Sequence, residues 1–196
     1  MTTLTLAALQ SPDETLDYQD PASQNYRHLE RCRRVRVGPS VTVVFEDMHT
    51  LSFRIQELGW VARQSSPFTV RKQLEWYNRL LPTPDRLFAT ICVSAPSRRL
   101  TFGADTLRQS LTSGRLVLRS DAGHEIVSNF MNERVSDRVI GLFCWAEFQF
   151  NEDCREAFIH DGTLSWRLEI EADGYNQVSD DLSATVLDSL TADMRC

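Results

Sequence analysis

The residues best suited to chemistry form a polar group inside otherwise apolar stretches. Arg54, Gln56 and Glu57 interrupt one helical stripe, and Tyr77 and Asn78 fall late in the next. Antiparallel packing of the two segments would gather them, either as the lining of a small-molecule site or as a network locking the helices to a sheet. The network is the ordinary reading, because buried polar groups normally satisfy one another. A second group, Arg31, Arg33, Arg34 and Arg36, concentrates guanidinium groups suited to neutralising phosphates. Only Tyr26 lies nearby to stack on a base, and a net charge of −6 opposes a nucleic-acid-binding surface. A solvated face, or a set of ion pairs with the abundant carboxylates, is the default for these arginines. Lys72 is the only lysine, so the preference for arginine runs through the whole chain.

Other reactive side chains are dispersed. His28, His49, His124 and His160 are too scattered to suggest a metal cluster, and His49 reads as a solvated turn residue. His160-Asp161 reads as a pair of surface turn residues. Cys32, Cys92, Cys144, Cys154 and Cys196 are odd in number and contain no C-x-x-C pair. That excludes the usual zinc-ribbon, iron–sulfur and thioredoxin spacings and fits a reducing compartment. Cys92 and Cys144 sit in apolar runs, where a buried, inert thiol is expected. Trp60, Trp76 and Tyr77 are read as core rather than as a stacking platform. No P-loop, Rossmann glycine pattern, H-E-x-x-H, EF-hand or G-x-S-x-G motif occurs. These absences lean against an enzyme, and neither metal nor cofactor is expected.

The elements that must position these groups follow from periodicity. A short helix over 26–34, capped by Asn25, leads through Val35 and Val37 to the turn Gly38-Pro39-Ser40 and a β-branched strand over 41–46. Leu51, Ile55, Leu58 and Val61 give an apolar stripe for a helix over 50–63 with Thr50 as its cap. A second helix over 69–81 ends at Pro82 and completes a helical hairpin. Strands are expected over 87–93, 115–119, 125–130 and 139–150, with an ambiguous, helix-like segment over 100–111. Asn151 should cap a short helix to 158. Residues 164–171 alternate, with Leu164, Trp166, Leu168 and Ile170 inward and Arg167, Glu169 and Glu171 outward. A last helix begins near Asp180 and turns Leu182, Val186, Leu187 and Leu190 inward. The expected fold is α+β: a mostly antiparallel or mixed sheet with the hairpin and the C-terminal helix packed on it. Residues 1–25 are expected to be a loosely ordered arm and 26–196 a single domain. Without a signal sequence or a ~20-residue apolar span, the chain is expected in the cytoplasm.

Several of these stretches resemble a family. Residues 33–39, Phe45-Glu46, Thr50, Ile55-Gln56-Glu57 and residues 77–82 resemble the bacterial domain-of-unknown-function family 3501. The likeness continues through 138–150 and 168–175 to the C-terminal helix. The family has no established activity. Its members are often encoded beside rubrerythrin-like and iron–sulfur oxidoreductase proteins. The resemblance therefore implies a non-enzymatic accessory or interaction protein linked to redox or oxidative-stress metabolism. The alternatives are a ligand-binding protein or enzyme using Arg54, Gln56, Glu57, Tyr77 and Asn78, and nucleic-acid contact through 31–36. Where the family usually carries glutamates, this chain has Ala62, Gln73 and Ser94, and Ala172 replaces a histidine. The resemblance thus implies that any hard-metal site of the family has lost its ligands here.

Overall fold

A computed structural model describes Leu4 and residues 27–61, 74–93, 104–131 and 142–195. Eight strands run through it: β1 (Arg34–Val37), β2 (Val41–Phe45), β3 (Arg86–Val93), β4 (Arg115–Ser120), β5 (Glu125–Met131), β6 (Leu142–Gln149), β7 (Trp166–Ala172) and β8 (Tyr175–Val178). The longer helices among the described residues are α1 (Met48–Val61), α2 (Ala104–Ser113), α3 (Glu152–His160) and α4 (Ala184–Met194), with a shorter helical stretch at 74–78 and a π-helical turn at Leu29–Arg33. The strands join in the order β1-β2-β3-β6-β5-β4-β7-β8, every described pairing antiparallel.

The α+β class holds, but the sheet is not a platform with helices on top. It curls into a nearly closed eight-stranded barrel. Such a barrel has an interior just wide enough for side chains to fill. Val37, Val43, Phe45, Ile91, Phe148 and Leu168 are among those that fill it, with Trp166 almost wholly buried beside them. Leu107 and Leu111 of α2, Phe158 and Ile159 of α3, and Val186, Leu190 and Met194 of α4 extend the same core. The C-terminal helix starts at Ala184 with Ser183 as its cap, later than the expected Asp180, so Leu182 is buried ahead of it; Val186 and Leu190 face inward as expected, with Leu187 packed at the margin. Asn151 caps α3 by accepting the Cys154 N–H at 2.7 Å, and Gly123 turns the β4–β5 hairpin at φ +91.

The seam between β1 and β8 has no ladder. Tyr175 bridges it instead: its hydroxyl donates to Val37 O at 2.7 Å and accepts the Ser40 N–H at 3.2 Å. Gly38 turns the chain there at φ +70, and a Cβ on it would stand 2.7 Å from Gln177. Tyr175→Phe leaves two buried backbone groups unpaired, which costs about 1–3 kcal/mol. Urea unfolding should show that loss with the m-value unchanged; a variant as stable as the parent would remove the hydroxyl from the seam.

A second core lies outside the barrel. Leu51 and Ile55 of α1 pack with Leu74, Tyr77 and Leu80 on Phe88 and Trp145, which point outward from β3 and β6. Both faces of these central strands are therefore covered, which explains their unbroken apolar runs. Residues 74–78 are helical, and α1 spans the first half of the expected hairpin. The segment that would join them lies outside the described residues. Of residues 1–25 only Leu4 is described, buried in this second core.

Two local expectations are corrected. Glu169 is buried rather than facing water, because Arg119 (3.2 Å) and Arg167 (2.8 Å) fold over it on the outer face of β7. The helix expected over 26–34 ends as the π-turn at Arg33, since Arg34 already pairs with Val44 in the sheet.

Candidate functional site

The polar groups gather where β2 runs into α1. Phe45 points into the barrel, so strand alternation turns Glu46 outward, beneath the helix. Asp47 then caps α1. Its Oδ1 accepts the Thr50 N–H at 2.7 Å, while Thr50 Oγ1 accepts the Asp47 N–H at 2.8 Å. This is a reciprocal capping box. Thr50, expected as the cap, is the third helical residue, and the cap itself is Asp47.

Glu46 is buried and fully engaged. Thr50 Oγ1 donates to its Oε2 at 2.5 Å, Arg54 Nη2 to its Oε1 at 2.8 Å, and Thr90 Oγ1 to the same oxygen. Arg54 Nη2 also donates to Thr90 Oγ1 at 3.0 Å, and the guanidinium lies 5.0 Å from the ring centroid of Trp145. Among the described residues, the buried donors Arg54 Nε and Trp145 Nε1 of this layer have no partner. Burial works against the Arg54 charge, but Glu46 and its other neighbours overcome it and hold the guanidinium firmly protonated. Burial also raises the Cys92 thiol, and it pushes Cys144 up to about 12. Both stay protonated near neutral pH, so neither is a ready nucleophile.

A second cluster adjoins this layer. Asp47 Oδ2 takes His28 Nε2 at 2.7 Å and Arg33 Nη2 at 3.0 Å. Arg33 is buried, and its Nη1 donates to Asp193 Oδ2 of α4, 160 residues away in sequence. The His49 ring, in the first turn of α1, lies 5.2 Å from the His28 ring. Burial alone would raise the Asp47 carboxyl. Arg33, the Thr50 N–H and His28 outweigh it and hold that group below the usual range. At Asp193 burial prevails over Arg33, with Asp47 adding repulsion, and the carboxyl is raised. One guanidinium between two buried carboxylates favours the better-bonded of them: Asp47 is the more deeply buried, but the Thr50 N–H and His28 add to Arg33 there.

The fold thus divides the residues singled out from sequence. Arg54 and Tyr77 meet in one layer, where the Tyr77 ring stands edge-on to Trp145 at 6.1 Å. Asn78 turns elsewhere: its Oδ1 accepts the Leu4 N–H at 2.7 Å and its Nδ2 donates to Leu4 O at 3.1 Å. Gln56 and Glu57 ride on α1, but their side chains lie outside the described residues, as do Trp60, Ala62, Gln73 and Ser94. Ala172 faces the barrel core. The arginine run is split: Arg33 is internal, Arg34 is exposed and paired with Glu30, and Arg31 and Arg36 point to solvent. Sequence reading missed Glu46, Asp47, Thr90 and Asp193. The D-x-x-T spacing of the capping box was the one local signal available for any of them.

Among the described residues, no group of three or more His, Cys, Asp or Glu side chains is arranged to hold a metal ion, and no helix is long and apolar enough to cross a membrane. A family model described as "Protein of unknown function (DUF3501)" matches residues 5–194. No curated protein matches the chain. Among solved structures, the chain resembles a protein of unknown function from Burkholderia pseudomallei. The two are 20% identical, with a TM-score of 0.77 over 98% of this chain and 100% of that one. At that identity the likeness concerns the fold alone.

Proposed function

The chain belongs to the DUF3501 family, and from that membership we propose that it is a non-enzymatic, cytoplasmic accessory protein that docks onto a redox partner. The partner class is a rubrerythrin-like or iron–sulfur oxidoreductase protein, the kind of neighbour the family resemblance brings with it. One observation supports the non-enzymatic part: among the described residues of the layer under α1, the acid Glu46 and the base Arg54 are committed to each other and to their neighbours. Glu46 is consumed by Thr50, Thr90 and Arg54, and Arg54 is a permanent donor. A general acid or base needs a group free to exchange a proton with substrate, and a nucleophile needs an accessible anion. The barrel's filled core adds to the same reading. Four described cysteines are free, as a reducing compartment requires.

The test is direct. The full chain, mixed with a purified rubrerythrin-like protein and separately with an iron–sulfur oxidoreductase from its own genome, should co-elute with one of them on size exclusion. Failure to form a complex with either class would overturn the reading.

A second reading has one observation in its favour. Among the described residues, Arg54 Nε and Trp145 Nε1 are buried donors without partners in the same layer, and an acceptor such as a small carboxylate would satisfy such donors. Saturable quenching of tryptophan emission by such an acid, absent in Arg54→Met, would favour this over the accessory role.

A further inference from the structure

We propose that His28 and His49 form a surface site for one borderline divalent metal ion, Zn²⁺ or a close analogue, with Asp47 as the carboxylate that orients the first ligand. The proposal stands independently of the accessory reading.

Asp47 dictates the tautomer. Its Oδ2, which also takes buried Arg33 at 3.0 Å, is an acceptor, so in neutral His28 the proton resides on Nε2 and is donated to Asp47 at 2.7 Å. The lone pair is then on Nδ1, for which the structure gives no partner among the described residues. A histidine that donates its other ring N–H to a carboxylate is the usual form of a metal-bound imidazole, because the hydrogen bond fixes the ring and raises its basicity. Asp47 is itself fixed by the Thr50 N–H and by buried Arg33. His28 is therefore pre-oriented while its side chain keeps 29% of its surface open to solvent.

The second ring has suitable spacing. Imidazole nitrogens bind zinc at ~2.0–2.1 Å, which places each ring centroid ~3.2 Å from the ion; a tetrahedral angle then separates two centroids by ~5 Å. The observed separation is 5.2 Å with the planes inclined at 59°. His49 is exposed at the first turn of α1 and free to adjust its rotamer. Imidazole suits Zn²⁺, Cu²⁺ and Ni²⁺ and disfavours Mg²⁺ and Ca²⁺. With two protein ligands, two positions remain for water or for a ligand from a second molecule. Such a site binds a metal exchangeably rather than as a structural centre.

Titration of the reduced full chain with Zn²⁺ alone, followed by calorimetry, should give one equivalent bound. His28→Ala and His49→Ala should each abolish the one-equivalent binding, since each removes one of the two protein ligands. Cys32→Ser, in the neighbouring turn, should leave it unchanged. Mg²⁺ should produce no heat of binding. His49 is exposed and bonded to nothing that α1 needs, so its variant should keep the parent's circular dichroism. Absence of a one-equivalent site, retention of it in a folded His49→Ala chain, or its loss in Cys32→Ser would each overturn the assignment.

Discussion

Glu46→Ala should be the most damaging single substitution under α1, lowering stability by about 3–5 kcal/mol, because it strands the buried Arg54 guanidinium without its counter-charge. Thr50 Oγ1 and Thr90 Oγ1 lose their acceptor in the same stroke. For a chain of this length each kcal/mol moves Tm by roughly 2–4 °C, so a fall on the order of 10 °C is expected in a thermal scan. The double variant Glu46→Leu with Arg54→Met replaces both charges by apolar groups of similar size. It should regain most of the loss, since a buried ion pair roughly breaks even against a well-packed apolar pair. A double variant no better than Glu46→Ala would mean that the layer does more than neutralise itself, and would move Arg54 toward the ligand-binding reading.

Arg33→Met should lower stability by a similar ~3–5 kcal/mol at pH 7, and here the loss should depend on pH. Arg33 joins the strand entry, the cap of α1 and helix α4 by way of Asp47 and Asp193. In the parent the Asp47 carboxyl is lowered in the folded state. Its contribution is present above the ordinary carboxylate range and is lost as pH falls through the folded value. Asp193 is raised, so the sign reverses: the folded state holds that proton more tightly, and stability is gained as pH falls through its folded value. The two act in successive windows: stability rises as pH falls through the Asp193 value toward the ordinary carboxylate range, and falls below that range as Asp47 is protonated. Without Arg33 both carboxylates are buried beside one another, and protonation becomes the cheaper state for at least one. The gap between Arg33→Met and parent, measured by urea unfolding from pH 7 downward, should therefore narrow toward the carboxylate range. A gap that is constant or widens on acidification would show that Arg33 acts through packing alone.

Much of the local structure was legible without coordinates. The β-branched run at 41–46 became β2, the Asn151 cap fell where expected, and the C-terminal helix presents Val186 and Leu190 to the core. These features depend on residues within a turn or two of one another, so composition and spacing carry them. The last strand, β8, was missed because Tyr175–Val178 is short, polar in its middle and at an edge. Glu169 misled for a related reason: alternation assigns a side chain to a face but says nothing of what lies over that face.

The amino-acid order alone determined the α+β class, the solid strands and the faces that helices turn inward, because each follows from period and polarity. Closure of the barrel, the escort of Arg33 by Asp193, and the meeting of His28 with His49 were decided by the tertiary fold. Each joins segments brought together by long-range pairing, and neither hydrophobic period nor local propensity records which distant residue will stand opposite. The scattered histidines are the clearest instance: unrelated along the chain, two of them became neighbours once β2 and the π-turn packed side by side.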